Sequence, residues 1–326
     1  MPPVTYLEAI SAGLREEMER DESVFCLGED IGVYGGAFKI TKGFLDDFGE
    51  DRVIDAPVAE SVIIGAAMGA AIMGMRPVAE MQFADFITCG FNQLVNNAAK
   101  AHYRWGAAVP LVVRCPSGAI GNAGPFHSQN PEAWFCKVPG LKVVAPATTY
   151  DAKGLLKSSI RDNNPVLFFE HKGLYRFPRI REEIPEDDYT VPIGEAALRR
   201  EGIDATIVTY GKMVFHSLDA AETLAGEGIE TEVIDLRSLL PYDKQAILES
   251  VRKTNRLLIV HEDTLTGGFG GEIAAVVAEE AFEHLDAPVR RLAAIDTPVP
   301  FSPPLEHYFL PNTEKVTAAL RDLMAY

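Results

Sequence analysis

The sequence predicts an α/β protein of two domains, a parallel-sheet domain over residues 1–185 followed by a smaller α/β domain over 186–326. Short β-branched runs alternate with longer stretches of helical period, the pattern of parallel strands joined by crossover helices. A charged, proline-punctuated stretch from Lys172 to Val191 interrupts the alternation once. Arg179, Arg181, Glu182, Glu183, Pro185, Glu186, Asp187 and Asp188 crowd together there, so it reads as a linker. A chain of 326 residues is also long enough for each domain to bury its own core.

In the first domain the strands fall at Val24 to Leu27, Pro77 to Met81, Pro110 to Val113, Lys142 to Val144 and Val166 to Phe169. Helical patterns fill Tyr6 to Arg20, Ser61 to Gly74, Gly90 to Tyr103 and Tyr150 to Arg161. After the linker, strands are expected at Ala205 to Thr209, Glu232 to Leu236, Leu257 to Val260 and Val289 to Ala294. Helices are expected at Val214 to Gly226, Asp243 to Lys253, Gly271 to Leu285 and Thr313 to Met324. The longest apolar stretch, Val62 to Met75, is too short to span a bilayer, which needs ~20 helical residues, and reads as a buried helix. Its Gly65, Gly69 and Gly74, with Ala66, Ala67, Ala70 and Ala71, leave few protruding side chains, so this face can pack closely, against another subunit or internally.

Composition narrows the function classes. Hydrophobic residues at 47% and charged ones at 24% are the proportions of a soluble globular protein. The net charge of -17 argues against nucleic acid or an anionic membrane as partner, because a negative surface repels phosphate. Cys26, Cys89, Cys115 and Cys136 lie too far apart for a zinc knuckle or a redox pair, and read as reduced thiols of a cytoplasmic protein. The start, Met1-Pro2-Pro3-Val4, shows no basic stretch followed by an apolar run, so no signal peptide is expected. His102, His171, His216, His261, His284 and His307 form no metal-ligand spacing. The glycine run Gly267 to Gly271 lacks the spacing of a dinucleotide fingerprint and reads as a tight turn into a helix.

A few residues stand out for chemistry, each with an ordinary alternative. Glu60 precedes Ser61 and the apolar helix, where a carboxylate can simply favour the helix dipole or can serve as a proton-handling group. Phe86 is either a core aromatic or a flat surface for a ligand ring, since it follows closely on a strand end. Gln82, just beyond the same strand, needs a polar partner. His127 sits on a loop with Gly118, Gly121 and Gly124, where it is either solvated or placed for proton transfer or for meeting a carboxylate.

Taken in order, several segments resemble the beta subunit of the thiamine-dependent decarboxylating component of 2-oxo acid dehydrogenase complexes. They include Leu27-Gly28-Glu29-Asp30, Asp55-Ala56-Pro57-Val58-Ala59-Glu60, Gln82-Phe83-Ala84-Asp85-Phe86, His127-Ser128-Gln129, Pro139 to Val144, Tyr210-Gly211, Asp235-Leu236-Arg237 and Asp296-Thr297-Pro298. The likeness spans essentially the whole chain. It implies a pyrimidine-binding parallel-sheet domain followed by a transketolase C-terminal-like domain, in an α2β2 heterotetramer with thiamine diphosphate shared between an alpha and a beta chain.

On that resemblance Glu60 pairs with the pyrimidine N1′, Phe86 stacks on the ring, Gln82 and Val58 line its pocket, and His127 faces the substrate and the incoming lipoyl group. Asp162 and Asn164 are implied near a structural monovalent cation such as K+. The sequence has no Gly-Asp-Gly segment with asparagines downstream, since Asn96-Asn97 and Asn163-Asn164 lack one. Mg2+ and the diphosphate are therefore expected on the alpha subunit. The implied reaction is decarboxylation of a 2-oxo acid with transfer of the acyl group to lipoamide on a dihydrolipoyl acyltransferase core. The Gln-Phe-Ala-Asp-Phe wording leans to branched-chain substrates, while Ala56 and Thr88-Cys89-Gly90 depart from common family wording. Rival readings are a pyruvate or acetoin enzyme, a split transketolase-like enzyme and an inert docking scaffold.

Overall fold

The computed structural model describes residues 3–326; Met1 and Pro2, on which the signal-peptide expectation partly falls, lie outside them. Two compact units emerge. The first takes the described residues up to Ser117 together with Trp134–Ile193, and the second takes Gly118–Ala133 and Gly194–Tyr326. The loop bearing His127, inside the 1–185 expected for the first domain, thus groups with the second unit, and the chain changes unit after Ile193.

In the first unit the strands β1 (Val24–Gly28), β2 (Val53–Asp55), β3 (Arg76–Glu80), β4 (Val112–Ser117), β5 (Lys142–Val144) and β6 (Val166–His171) lie in the order β5-β6-β4-β3-β1-β2. All of these neighbours pair in parallel, with Cys26 opposite both Val53 and Val78. Parallel strands covered on both faces read as continuous apolar runs, and β1, β4 and β6 are buried throughout. Helix α1 (Tyr6–Arg20) starts at a capping box, in which Thr5 accepts from the Glu8 N–H and Glu8 reaches back to the Thr5 N–H. Its buried stripe of Tyr6, Ile10, Leu14 and Met18 faces inward, and Gly13 lets it approach Lys153 of the helix Thr149–Arg161.

Three sequence expectations change here. The stretch 172–191 is packed rather than a free linker: Ile180, Ile184 and Val191 are buried. Thr149 donates to the Ile180 carbonyl at 2.5 Å, and Arg161 pairs with Asp188 at 2.8 Å. The expected helix Gly90 to Tyr103 is present as a continuous helical run over 91–105, with a π segment (Gln93–Ala98) leading into a short α-helix (Ala99–Trp105), and a 3-10 turn (Ala84–Gly90) precedes it. The helix Glu60–Ile72 buries only one side, through Ile63, Ile64, Ala67 and Ala71, and leaves Val62 and Met73 in the open. It is apolar all round, so hydrophobicity alone could not tell a buried face from an uncovered one.

In the second unit β7 (Ala197–Arg200), β8 (Ala205–Thr209), β9 (Thr231–Asp235), the short β10 (Ser238–Leu240), β11 (Leu257–Thr264) and β12 (Arg290–Ala294) follow in turn. The sheet order is β12-β11-β8-β9-β7, parallel except for the edge strand β7. Strand β7 escapes sequence reading because its residues are half-buried and lack a β-branched run. The helices Met213–Ala225 and Thr313–Met324 close one face over Val233, Leu258 and Val260, with Leu224, Leu320 and Leu323 between them. The helix expected to end at Leu285 stops at Glu280, where Ala281 leaves helical geometry and a 3-10 turn follows. The glycine turn before it packs on His261, with ideal Cβ positions at Gly268 and Gly270 falling within 2.4 and 2.7 Å of that ring. Among the described residues no helix is long and apolar enough to cross a membrane.

Candidate active site

The carboxyl ends of β1, β2 and β3 lie side by side, and ligands of open α/β sheets bind outside such ends. Each end contributes a group. After β1 the chain turns through Glu29 and Asp30, the latter with φ of 57°. After β2, the Asp55 carboxylate accepts the Gly32 N–H at 2.7 Å, and the Ala56 N–H donates to the Gly28 carbonyl at 2.8 Å. These two bonds fix the start of the segment that carries Val58 and Glu60. Val58 is 81% exposed, a high figure for an apolar residue on a rigid turn.

Glu60 opens the helix Glu60–Ile72, and its N-cap Ala59 offers no side-chain acceptor, so that helix end depends on other groups. Beside it, Glu29 is buried at 6% exposure, with one carboxylate oxygen meeting no hydrogen-bond donor. Burial and then the Glu60 charge push the Glu29 carboxyl above its ordinary range, while the Ala59 N–H pulls it back. Glu29 was quoted in the sequence only as part of a motif; its signal was a carboxylate directly after a fully apolar strand.

After β3 come Met81, fully buried, and Gln82, whose amide donates to Asp30 at 3.2 Å. The partner that Gln82 was expected to need is thus an acid on the neighbouring turn. Phe86 lies half-buried on the 3-10 turn, its ring edge-on to Phe83 at 5.8 Å, and Phe83 in turn meets Phe38 at 5.6 Å. That turn packs on the Glu60–Ile72 helix, close enough that a Cβ on Gly90 would fall 2.1 Å from Ile64. The structure therefore gathers Val58, Glu60, Gln82 and Phe86 at adjacent strand ends of the first unit. His127 lies on the loop that belongs to the second unit, half-buried behind an exposed Phe126.

Under the strand ends sits a charge network that sequence reading missed. Arg114, 1% exposed, donates to both oxygens of Glu170 at 2.6 and 2.8 Å and also pairs with Glu80. Tyr175 donates to Glu170 at 2.8 Å. Burial pushes the Glu80 carboxyl up and the Arg114 charge opposes it. A lone arginine inside an apolar strand was the available signal.

The cation ligands expected at Asp162 and Asn164 are occupied differently. The Asp162 carboxylate takes Lys142 on one oxygen and the Asn164 backbone and side-chain amides on the other, both at 2.8 Å. The Asp162 and Ile160 carbonyls accept the Arg76 guanidinium at 3.0 and 2.9 Å. A monovalent cation at this helix end would share the Asp162 and Ile160 carbonyls with the Arg76 guanidinium. Among the described residues there is also no cluster of three or more His, Cys, Asp or Glu able to hold a metal.

Residues 2–178 match the transketolase pyrimidine binding domain and residues 194–316 the transketolase C-terminal domain. The chain is 50% identical to the 2-oxoisovalerate dehydrogenase subunit beta of Bacillus subtilis, over 100% of both chains. The chain belongs to the beta-subunit family of the thiamine-dependent 2-oxo acid dehydrogenases. Other members are similarly near: a pyruvate dehydrogenase beta subunit of Gracilaria tenuistipitata at 44% identity over 99% of this chain and 100% of that one, and the acetoin:2,6-dichlorophenolindophenol oxidoreductase beta subunit of Bacillus subtilis at 43% over 98% and 97%. Among solved structures, a split gene transketolase described as an inactive beta4 tetramer shares the fold, with a TM-score of 0.78 at 24% identity over 99% of each chain. For this beta-subunit family the pyrimidine ring is the group to test against the site. Its needs fit the first unit: a carboxyl at a helix start, a buried carboxylate oxygen short of a donor, and a half-exposed aromatic face.

Proposed function

We propose that this chain is the beta half of an enzyme that decarboxylates a 2-oxo acid and passes the acyl group to lipoamide, with branched-chain acids preferred. The observation that carries the proposal is the Glu29–Glu60 carboxylate pair beside the Gln82 and Phe86 turn. Bound thiamine diphosphate supplies the electron sink for the loss of carbon dioxide. This chain's part is to hold the pyrimidine ring and manage its proton. Glu60 would pair with N1′ of the ring, and Glu29, whose carboxyl is raised by burial and by the Glu60 charge, stands beside it. Phe86 offers its face to the ring, and Gln82 and Val58 border it. His127 is assigned to the acyl-transfer step.

An alpha subunit in an α2β2 assembly completes the cofactor site in this proposal, contributing Mg2+ and the diphosphate. A lipoyl-bearing acyltransferase core receives the acyl group, and the complex works in the cytoplasm. The branched-chain preference is supported by the 50% likeness to the 2-oxoisovalerate subunit against 43–45% for the acetoin and pyruvate relatives. Co-expression with an alpha chain, followed by assays of turnover with an artificial electron acceptor on 2-oxoisovalerate, pyruvate and acetoin, tests it. A higher kcat/KM on pyruvate or acetoin than on 2-oxoisovalerate would remove the substrate assignment, and no turnover on any of the three would remove the proposal.

A further inference from the structure

The loop that carries His127 is held at three points by two buried carboxylates of the second unit. One oxygen of Glu262, a residue of β11 that is 5% exposed, accepts the Ala119 N–H at 2.8 Å and the Asn130 side-chain amide at 3.1 Å. That single oxygen therefore ties both ends of the loop. Midway, the Gly121 N–H donates to Glu306 at 2.8 Å, from the helix Pro303–Phe309. The neck is closed by the Gly118 N–H on the Gln129 carbonyl at 3.2 Å. Apolar contacts support the same points. The Ala119 side chain sits in a small cluster with Ala294, Val299 and Phe309, and Gly124, at φ +71°, lies against Phe301.

Between these points the loop forms neither helix nor strand. Gly121, Asn122 and Gly124 all carry positive φ, and Ile120 and Phe126 are exposed. Hydrogen bonds to a charged acceptor are roughly twice as strong as neutral ones, and buried carboxylates are costly unless such bonds meet them. Two carboxylates turned onto backbone N–H groups of a glycine-rich loop are expensive to bury for stability alone. We propose that Glu262 and Glu306 are positioning residues, a clasp that fixes the loop so that His127 is presented for acyl transfer. The clasp rests on the role given to His127 above. The carboxylates touch neither cofactor nor substrate in this scheme; they act through the loop backbone.

The test uses the assembled enzyme with its alpha partner and a free lipoyl domain as acceptor. Glu306→Gln, Glu306→Ala and Glu262→Gln are compared with the parent by amide hydrogen exchange over residues 118–131, by acyl transfer to lipoyl domain, and by decarboxylation with an artificial electron acceptor. Glu306→Ala is expected to lower protection at Gly121 by about tenfold, as loss of one charge-assisted bond implies. Acyl transfer falls by a similar factor, mainly through the KM for lipoyl domain. Decarboxylation stays within about twofold of the parent, and β8 keeps its protection, because the fold is intact. Glu306→Gln, which keeps an acceptor in place, should recover part of both losses. If Glu262→Gln fails to fold, the Glu306 pair still decides the matter.

Unchanged loop protection in a folded Glu306→Ala enzyme overturns the clasp, as does a parallel loss of both activities. His127→Ala separates the two ideas. Parental acyl transfer in that variant, with loosened loops in the glutamate variants, removes the role of His127 and leaves Glu262 and Glu306 as the loop's holders. A transfer defect in His127→Ala with tight loops in the glutamate variants removes the clasp alone.

Discussion

Glu29 and Glu60 reach the site from different elements, and one acts on the other: burial and then the Glu60 charge hold the Glu29 carboxyl above its ordinary range. A carboxyl raised by burial and by a neighbouring like charge is a recurrent feature of acid–base sites.

Glu60→Gln should leave the fold intact and reduce decarboxylation by a factor on the order of 10² to 10⁴, the range for losing acid–base help. The assay is turnover with an artificial electron acceptor in the assembled enzyme. Near-parental turnover would sink the assignment of Glu60.

Isolated from any alpha chain, the protein should bind thiamine diphosphate weakly and show no decarboxylase activity. The ring contacts of Phe86 and one carboxylate contribute only about 1–3 kcal/mol, and the sequence has no Gly-Asp-Gly segment to organise Mg2+. Calorimetry showing tight, Mg2+-dependent binding to this chain alone would contradict the shared site.

A Cβ placed on Gly69 meets nothing within 4 Å in this chain, so Gly69→Leu should be harmless to the isolated fold. If another subunit covers this face, the same leucine overpacks the contact and costs about 1–3 kcal/mol. Light scattering should then show a smaller assembly with a retained monomer melting temperature. An unchanged oligomer of unchanged stability would mean that nothing packs there.

Removing Arg114 leaves Glu80 and Glu170 as buried carboxylates without their cation. Arg114→Met should destabilise by about 3–5 kcal/mol, read as a lowered denaturation midpoint. A triple variant that also carries Glu80→Gln and Glu170→Gln should recover much of the loss, because the uncompensated charge is gone.

Glu132 is fully buried, accepts the Tyr210 hydroxyl at 2.9 Å, and is pushed from an ordinary 4.5 up to about 8 by burial and then by Asp263. Asp263 is itself raised to about 6, chiefly by burial. Between pH 4.5 and 8 Glu132 therefore holds its proton more firmly in the folded chain than in the unfolded one, so its contribution to stability falls as pH rises through that window. Glu132→Gln removes the titrating group while keeping an acceptor. Melting temperatures at pH 5.5 and 8.5 should lie closer together in the variant than in the parent.

The sheet cores and most helices were legible because apolar period and length fix them locally, as at Tyr6 to Arg20, where stripe and capping box agree. The positions of Glu60, Gln82 and Phe86 at element ends were legible for a related reason, since each sits just beyond an apolar strand or opens an apolar helix. What escaped depends on partners distant in sequence. Nothing near Ala119 announces that its N–H meets Glu262, 143 residues on, or that Gly121 meets Glu306, 185 residues on. Inside the helix expected at Gly90 to Tyr103, the widened π turn Gln93–Ala98 is a departure that helical period does not show. Asp162 also pairs with Lys142, and its carbonyl with Arg76, contacts that its local sequence does not announce.

Because residues 118–133 fold with the far end of the chain, sequence order and structural unit part company. A chimera joined at 193/194 from two related parents would inherit its loop from one and the loop's holders from the other. Ala119, Gly121 and Gly124 would face foreign partners at 262, 306 and 301. Gene shuffling within such enzymes should therefore yield working hybrids most often when 118–133 travels with 194–326, so that the inheritable block is discontinuous in the gene.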